Sequence, residues 1–324
     1  MNGRLEKELK SKDKMREKLR ELPNIFTEFY IYLNGDHKSY TTVERYINYA
    51  KDFMLYVTNG RYSNDFYKSV STSSIKSYIS SLEIQNKNGE VVRLGDEIQA
   101  TRWSAINTFF NFLLQEGYIN INPMTKTKRP KVKTKHKVTY LTPEEIQDVL
   151  NNVENHARER LKNRDMCIIS LGLTTGLRVS AIVQINLEDI DFATNQIKVI
   201  EKGNVTRYID IGNKMRGLLL NWIKDRELYF DANDNPALFL SQQNTRMCTD
   251  AVRDLITKYT RTINKHITPH KLRSSAAMNL YSSGVGILSI ASILGHENVT
   301  TTQRYTSAYD EEKENATNIL DGLI

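Results

Sequence analysis

Arg178, Lys202, His270, Arg273, His296 and Tyr305 follow one another in the second half of this 324-residue chain, with the tyrosine nine positions after the last histidine. Arginine offers a planar fork that matches phosphate oxygens bidentately and stays charged at working pH. Neither arginine can pass a proton, so that role falls to the lysine or a histidine. A tyrosine, with a free pKa near 10, becomes a useful nucleophile only where positive charge favours the phenolate. Four cationic side chains that grip a phosphate, a proton donor and a phenol that attacks it make a set for covalent phosphoryl transfer.

The surrounding residues carry a family pattern. Thr175-Gly176-Leu177-Arg178-Val179-Ser180, His270-Lys271-Leu272-Arg273, Leu294-Gly295-His296 and Thr301-Thr302-Gln303-Arg304-Tyr305 resemble the signature of the tyrosine recombinases, the phage integrase family, over roughly residues 140 to 310. The resemblance implies that Arg178, His270, Arg273 and His296 surround a scissile DNA phosphate. Lys202 would protonate the leaving 5′-oxygen, and Tyr305 would form a 3′-phosphotyrosyl link. It further implies a C-shaped clamp on double-stranded DNA recombination sites, strand exchange by a tetramer on synapsed DNA, and no cofactor, metal or ATP. Two positions depart from the pattern. Ala181 stands where the family usually has an acid three residues after the first arginine, and Ser274-Ser275 replaces a frequent His-Thr pair.

Alternatives stand beside individual assignments. Lys198 competes with Lys202, and Tyr309 is the fallback for Tyr305 among 17 tyrosines. A type IB topoisomerase would share the chemistry without joining two partners, and a cleavage-defective relative would keep DNA binding alone. Among recombinases, the integrase or excision enzyme of a phage or conjugative element is preferred over a chromosome-dimer resolvase, with an accessory directionality factor as a further expected partner.

Local signals place these residues on elements. Thr142 fits an N-cap, Pro143 the first helical position and Glu145 the third residue of a capping box, opening a helix near 143–155. Helices follow near 163–174 and, after a break at Gly176, through about 185. Gln196 to Ile200 and Val205 to Ile211 read as strands joined by Glu201-Lys202-Gly203-Asn204, which puts Lys202 at a hairpin tip. Thr268 and Pro269 repeat the cap-and-proline signal, so His270 and Arg273 fall one turn apart at a helix start, the end that favours phosphate. Gly295 ends the next helix just before His296. Thr300 and Gln303 suggest a short capped helix carrying Tyr305. A buried structural arginine at 178 would need a carboxylate partner, and Ala181 removes the nearest local one.

The chain is long enough for two domains. Residues 1–22 read as a charged, exposed helix, and 23–124 as a bundle of four or five helices, the third over about 71–85, which the resemblance implies is a core-binding DNA domain. Residues 125–137 read as an extended basic linker, and 138–324 as a catalytic domain, mostly helical with a small β-sheet, that ends in an amphipathic tail helix. The fold class is mainly α. Lys51, Lys76, Arg93 and Arg102 are candidate phosphate contacts in the first domain. The formal charge of +7 is not spread evenly. Lys+Arg against Asp+Glu runs 17 to 15 over residues 1–124, 7 to none over 125–137 and 21 to 23 over 138–324. Lys126, Lys128, Arg129, Lys131, Lys133, Lys135 and Lys137 would track a phosphate backbone, with a salt slope of about −6 if all engage. Two cysteines without a CxxC pair indicate neither a disulfide framework nor a zinc ribbon. No apolar run reaches the length of a membrane span, so the expected setting is the cytoplasm, at the nucleoid.

Overall fold

The computed structural model describes residues 3–35, 38, 40–85, 89–132, 138–201, 205–231, 235–295, 301–303 and 305. The chain divides into two compact units, Met1–Lys135 and His136–Ile324, each with its own core. Among the described residues no helix is long and apolar enough to cross a membrane.

The first unit packs α1 (Gly3–Arg20), α2 (Asn24–Gly35), α3 (Tyr40–Val57), α4 (Thr72–Ser80) and α5 (Asp96–Gln115). Phe26, Phe29, Val43, Ile47, Phe53, Phe109 and Phe110 recur at three- and four-residue spacing and are fully buried, as one apolar stripe per helix requires. The described side chains of the first helix are mostly exposed, as its charge suggests, but one stripe packs inward. Met15, Leu19 and Leu22, in and just after it, are at most 7% exposed in this core. The third helix stops at Ser80. Glu83–Gln85 (β1) instead pairs antiparallel with Val91–Arg93 (β2), because Ser80 and Ser81 favour a cap over a helix interior. Arg102, a candidate phosphate contact, is engaged within this unit. It bonds Asp52 at 3.0 Å and the Tyr78 hydroxyl at 2.8 Å and lies over the Tyr49 ring. Arg93 donates to Gln99 Oε1 at 3.0 Å.

The basic stretch does not begin as free chain. Pro123–Lys126 forms a 3-10 turn capped by the Asn122 side chain, and Trp103 Nε1 donates to Thr127 Oγ1 at 3.0 Å. Lys126, Lys128, Arg129 and Lys131 are exposed beyond it. Lys133, Lys135 and Lys137 lie outside the described residues.

In the second unit α6 (Pro143–His156) starts at the expected capping box. Thr142 Oγ1 accepts from the Glu145 amide at 3.3 Å, and Glu145 Oε2 accepts from the Thr142 amide at 2.9 Å. The central helix is α7 (Glu159–Thr175), buried along Cys167, Ile168, Ile169 and Leu171 and packed against α9 (Asn213–Tyr229) and α11 (Pro269–Ser282). Between α7 and α9 come α8 (Val179–Gln184) and a three-stranded antiparallel sheet ordered β3 (Ile190–Asp191), β4 (Gln196–Ile200), β5 (Thr206–Asp210). Val199 pairs with Arg207 and Ile197 with Ile209. Strand alternation sends Ile197, Val199 and Ile209 into the core and leaves Lys198 and Tyr208 outside. α10 (Thr249–Tyr259) and α12 (Ile287–Leu294) complete the unit.

Candidate active site

Gly176 creates the first feature. It ends α7 at φ +60°, the left-handed conformation that turns the chain so that Arg178 caps α8. A Cβ here would lie 2.3 Å from Leu294 Cδ2, so the turn and the end of α12 touch through a space that only hydrogen can fill. Into the same place α11 delivers Arg273, one helical turn from its start. Arg273 Nη1 donates to the Gly176 carbonyl at 2.8 Å and Nη2 to the Leu294 carbonyl at 2.7 Å. Arg273 is 2% exposed, and these two bonds fix its guanidinium while leaving further N–H donors.

α11 is itself tied down. Thr268 and Pro269 occupy the expected cap and first positions, although the Thr268 hydroxyl makes no capping bond. Ser275, in the pair that departs from the family pattern, accepts from the Leu141 amide at 2.8 Å and donates to the Lys271 carbonyl at 2.7 Å. Asn279 Nδ2 donates to the Leu141 carbonyl at 3.0 Å. The helix that carries Arg273 is thereby anchored to Leu141, the residue before the N-cap of α6. His270 lies in the exposed first turn of the same helix.

Arg178 has the carboxylate that its own helix lacks. Its Nη1 bonds Glu201 Oε1 at 3.0 Å, and the other Glu201 oxygen accepts from Arg207 Nη1, also at 3.0 Å. The Glu201 side chain is 6% exposed and that of Arg178 39%. Arg207 then donates through Nη2 to the Ser292 and Ile293 carbonyls at 2.9 and 3.0 Å. Arg207 and Arg273 together take three successive carbonyls at the C-terminus of α12, where helix carbonyls lack internal partners and the dipole favours cations. Gly295 caps this helix at φ +65°, and a Cβ there would fall 1.9 Å from Arg207 Nη1 and 2.5 Å from Glu201 Oε2.

Tyr305 is on a helical segment and 5% exposed, packed with Ala277, Met278, Ile290 and Leu294. Burial, and then the positive charge of Arg178, push Arg273 down to about 10, while Glu201 and Tyr305 pull it up and Arg207 adds to the downward pressure. Tyr305 therefore lies within electrostatic reach of that guanidinium. Two arginines bond one buried carboxylate and Arg273 acts on it through charge, so the described residues here carry an excess of positive charge that an anionic phosphodiester would balance.

The structure thus brings together Arg178, Arg273 and Tyr305, with His270 on the adjoining turn. Lys202, His296 and Thr300 lie outside the described residues, as does the tail from 306. Lys198, the alternative lysine, is on the outer face of β4. Sequence reasoning missed Glu201 and Arg207. The available signal was parity: Glu201 continues the inward series Ile197, Val199, and Arg207 shares the inward face with Ile209, so an acid and a base stand on the buried side of one hairpin.

Residues 139–312 match the model of the phage integrase family. The chain is 33% identical to a tyrosine recombinase XerC of Haemophilus influenzae over 215 residues, 66% of this chain and 71% of the relative. It is likewise 33% identical to a tyrosine recombinase XerC of Caldanaerobacter subterraneus over 259 residues, 78% of this chain and 69% of the relative. Among solved structures, the XerH site-specific recombinase bound to a palindromic difH substrate in a post-cleavage complex superposes with a TM-score of 0.70 at 19% identity, covering 86% of this chain and 80% of that one.

Proposed function

The chain belongs to the phage integrase family of tyrosine recombinases, and as a DNA strand transferase of that family we propose that it cleaves and rejoins double-stranded recombination sites through Tyr305. The observation that carries this reading is the joint placement of Arg273 and Tyr305 at the end of α12, with Arg178 across the same positive pocket. Arg178 and Arg273 hold the non-bridging oxygens of the scissile phosphate and neutralise the charge that grows on them in the transition state. Tyr305, as the phenolate that the surrounding positive charge favours, attacks phosphorus, the bond to the 5′-oxygen breaks, and Lys202 supplies the proton that lets the 5′-hydroxyl leave. His270 and His296 donate further hydrogen bonds to the phosphate. The phosphotyrosyl ester preserves the bond energy, so a 5′-hydroxyl from a second duplex reverses the step without ATP. Synapsis of two duplexes assembles a tetramer.

The unit formed by residues 3–132 serves as the core-binding DNA domain in this reading, and the exposed cations Lys126, Lys128, Arg129 and Lys131 follow the phosphate backbone. Lys133, Lys135 and Lys137 extend that track. The biological setting we assign is the integrase or excision enzyme of a phage or conjugative element. One observation favours a chromosome-dimer resolvase instead: relatives at 33% identity carry the name XerC.

A nicked suicide duplex bearing the native junction tests the chemistry. Wild type forms a detergent-resistant protein–DNA adduct and Tyr305→Phe forms none. An adduct that persists in Tyr305→Phe moves the nucleophile elsewhere, and specific binding without an adduct in wild type supports a cleavage-defective relative. Sequencing the DNA trapped in cells separates the settings, since adducts fall at the ends of an inserted element for an integrase and at one resident chromosomal site for a resolvase.

A further inference from the structure

Among the described residues Glu201 is the one acid at this site, and nothing in the recombination step described above uses it. It is set there by strand parity: Ile197 and Val199 face inward on β4, Glu201 follows with the same sense, and its amide closes the turn by donating to the Val205 carbonyl at 2.9 Å. Each carboxylate oxygen takes one guanidinium, Arg178 on one side and Arg207 on the other, both at 3.0 Å. No side chain on α8 could do this, because its sequence is Val-Ser-Ala-Ile-Val-Gln and Ala181 is 3% exposed in the core. The bond from Arg178 engages Nη1 only, and the side chain keeps 39% exposure, so its remaining donors are uncommitted among the described residues. Arg207, gripped by the same carboxylate, is held on the Ser292 and Ile293 carbonyls.

We propose that Glu201 is a positioning residue for the strand-cleavage reaction: its buried carboxylate sets the guanidinium of Arg178 for the scissile phosphate and locks that arginine to the end of α12 through Arg207. The inference rests on the reading of Arg178 as a phosphate ligand. A buried carboxylate between two guanidiniums has both oxygens satisfied and strong directional bonds, which suits it to fix an arginine that must meet its ligand with a particular face. It also offsets part of the repulsion among Arg178, Arg207 and Arg273, whose charges act on one another in this pocket.

The test measures adduct formation by the full chain on two nicked duplexes, one with the natural phosphodiester and one with a methylphosphonate at the scissile position. The methylphosphonate lacks the negative charge that Arg178 balances, so a defect that acts through Arg178 shrinks on it, whereas a general structural defect does not. Glu201→Gln is expected to lower the cleavage rate on phosphodiester roughly 10- to 100-fold through misplacement of Arg178. DNA affinity should change by less than about 3-fold, since the loss belongs to the chemical step. Glu201→Asp, which keeps the charge, should recover the larger part of the rate, and the Glu201→Gln deficit should narrow on the methylphosphonate. Should Glu201→Gln prove poorly folded by Trp222 emission, Glu201→Asp alone carries the comparison through its ratio of rates on the two duplexes. Wild-type or faster cleavage by Glu201→Gln, or an equal deficit on both duplexes, overturns the proposal. Arg178→Ala keeps the two levels apart. If it cleaves like wild type, the phosphate-ligand reading fails; if it is slow while Glu201→Gln is not, only the positioning role fails.

Discussion

Alanine in place of Gly176 adds one methyl group where both carbonyl acceptors of Arg273 meet. The backbone there has φ +60°, which costs a residue with a β-carbon about 1–2 kcal/mol. The methyl would stand 2.3 Å from Leu294 Cδ2, far inside the optimum of roughly 3.5–4.0 Å for carbon atoms. Leu294 is 1% exposed and cannot swing into solvent, so overpacking adds about 1–3 kcal/mol. The sum is a destabilisation of about 2–5 kcal/mol. The chain has two tryptophans, Trp103 and Trp222, and Trp222 lies fully buried in the second unit. In a Trp103→Phe background, urea unfolding followed by tryptophan emission reports on that unit alone. Gly217→Ala serves as the opposite control: Gly217 is within α9 with nothing in 4 Å of an added Cβ, so it should stabilise by about 0.5–1 kcal/mol. Because Gly176 and Leu294 both hold Arg273, Gly176→Ala should also slow adduct formation more than it weakens DNA binding. An unchanged unfolding midpoint, within about 0.5 kcal/mol of the control background, would refute the packing argument.

Two further outcomes follow from charge. Arg273 is held at about 10 in the free chain, chiefly by burial and by Arg178, and a bound phosphate anion raises it. Affinity of the Tyr305→Phe variant for its site should therefore be flat between pH 7 and 9 and fall as pH rises through 10, with proton uptake on binding in that upper range; a titration of binding against pH checks this, and a flat profile to pH 11 contradicts it. Replacing Lys126, Lys128, Arg129 and Lys131 with glutamine removes four exposed cations and should make the slope of log affinity against log salt shallower by about 3–4, at about 0.9 per lost phosphate contact. An unchanged slope would place these side chains away from the DNA.

Much of the second unit was legible because its signals are local. Thr142, Pro143 and Glu145 form the capping box that the sequence advertises, Pro269 starts α11, and Gly176 and Gly295 both sit in the left-handed conformation that ends a helix. Ile197, Val199 and Ile209 show the strand period directly. What escaped depends on partners distant in sequence. The spacing of Met15 and Leu19 in α1 was visible, but their burial is decided by the rest of the first unit. Arg102 looks like a surface cation until Asp52, 50 residues earlier, is brought beside it. The carboxylate for Arg178 was sought three residues away, on the same helix, and came from 23 residues away, just past the end of a strand. Propensity and capping act within a few residues, whereas a charge finds its counterion through the whole fold.

The bonds that hold this pocket have a consequence for the order in which the protein is made. Arg273 reaches back 97 residues to Gly176 and forward 21 to Leu294, and Arg207 reaches forward 85 to Ser292. Each closes only after the later of its two partners has been synthesised, and such long-range contacts are the slow ones to form. A chain still on the ribosome can complete the capping box of α6 and the β4–β5 hairpin, yet its arginines have no helix end to grip. The pocket that gathers Arg178, Arg207 and Arg273 is thus assembled only once α12 has emerged, late in synthesis of the second unit.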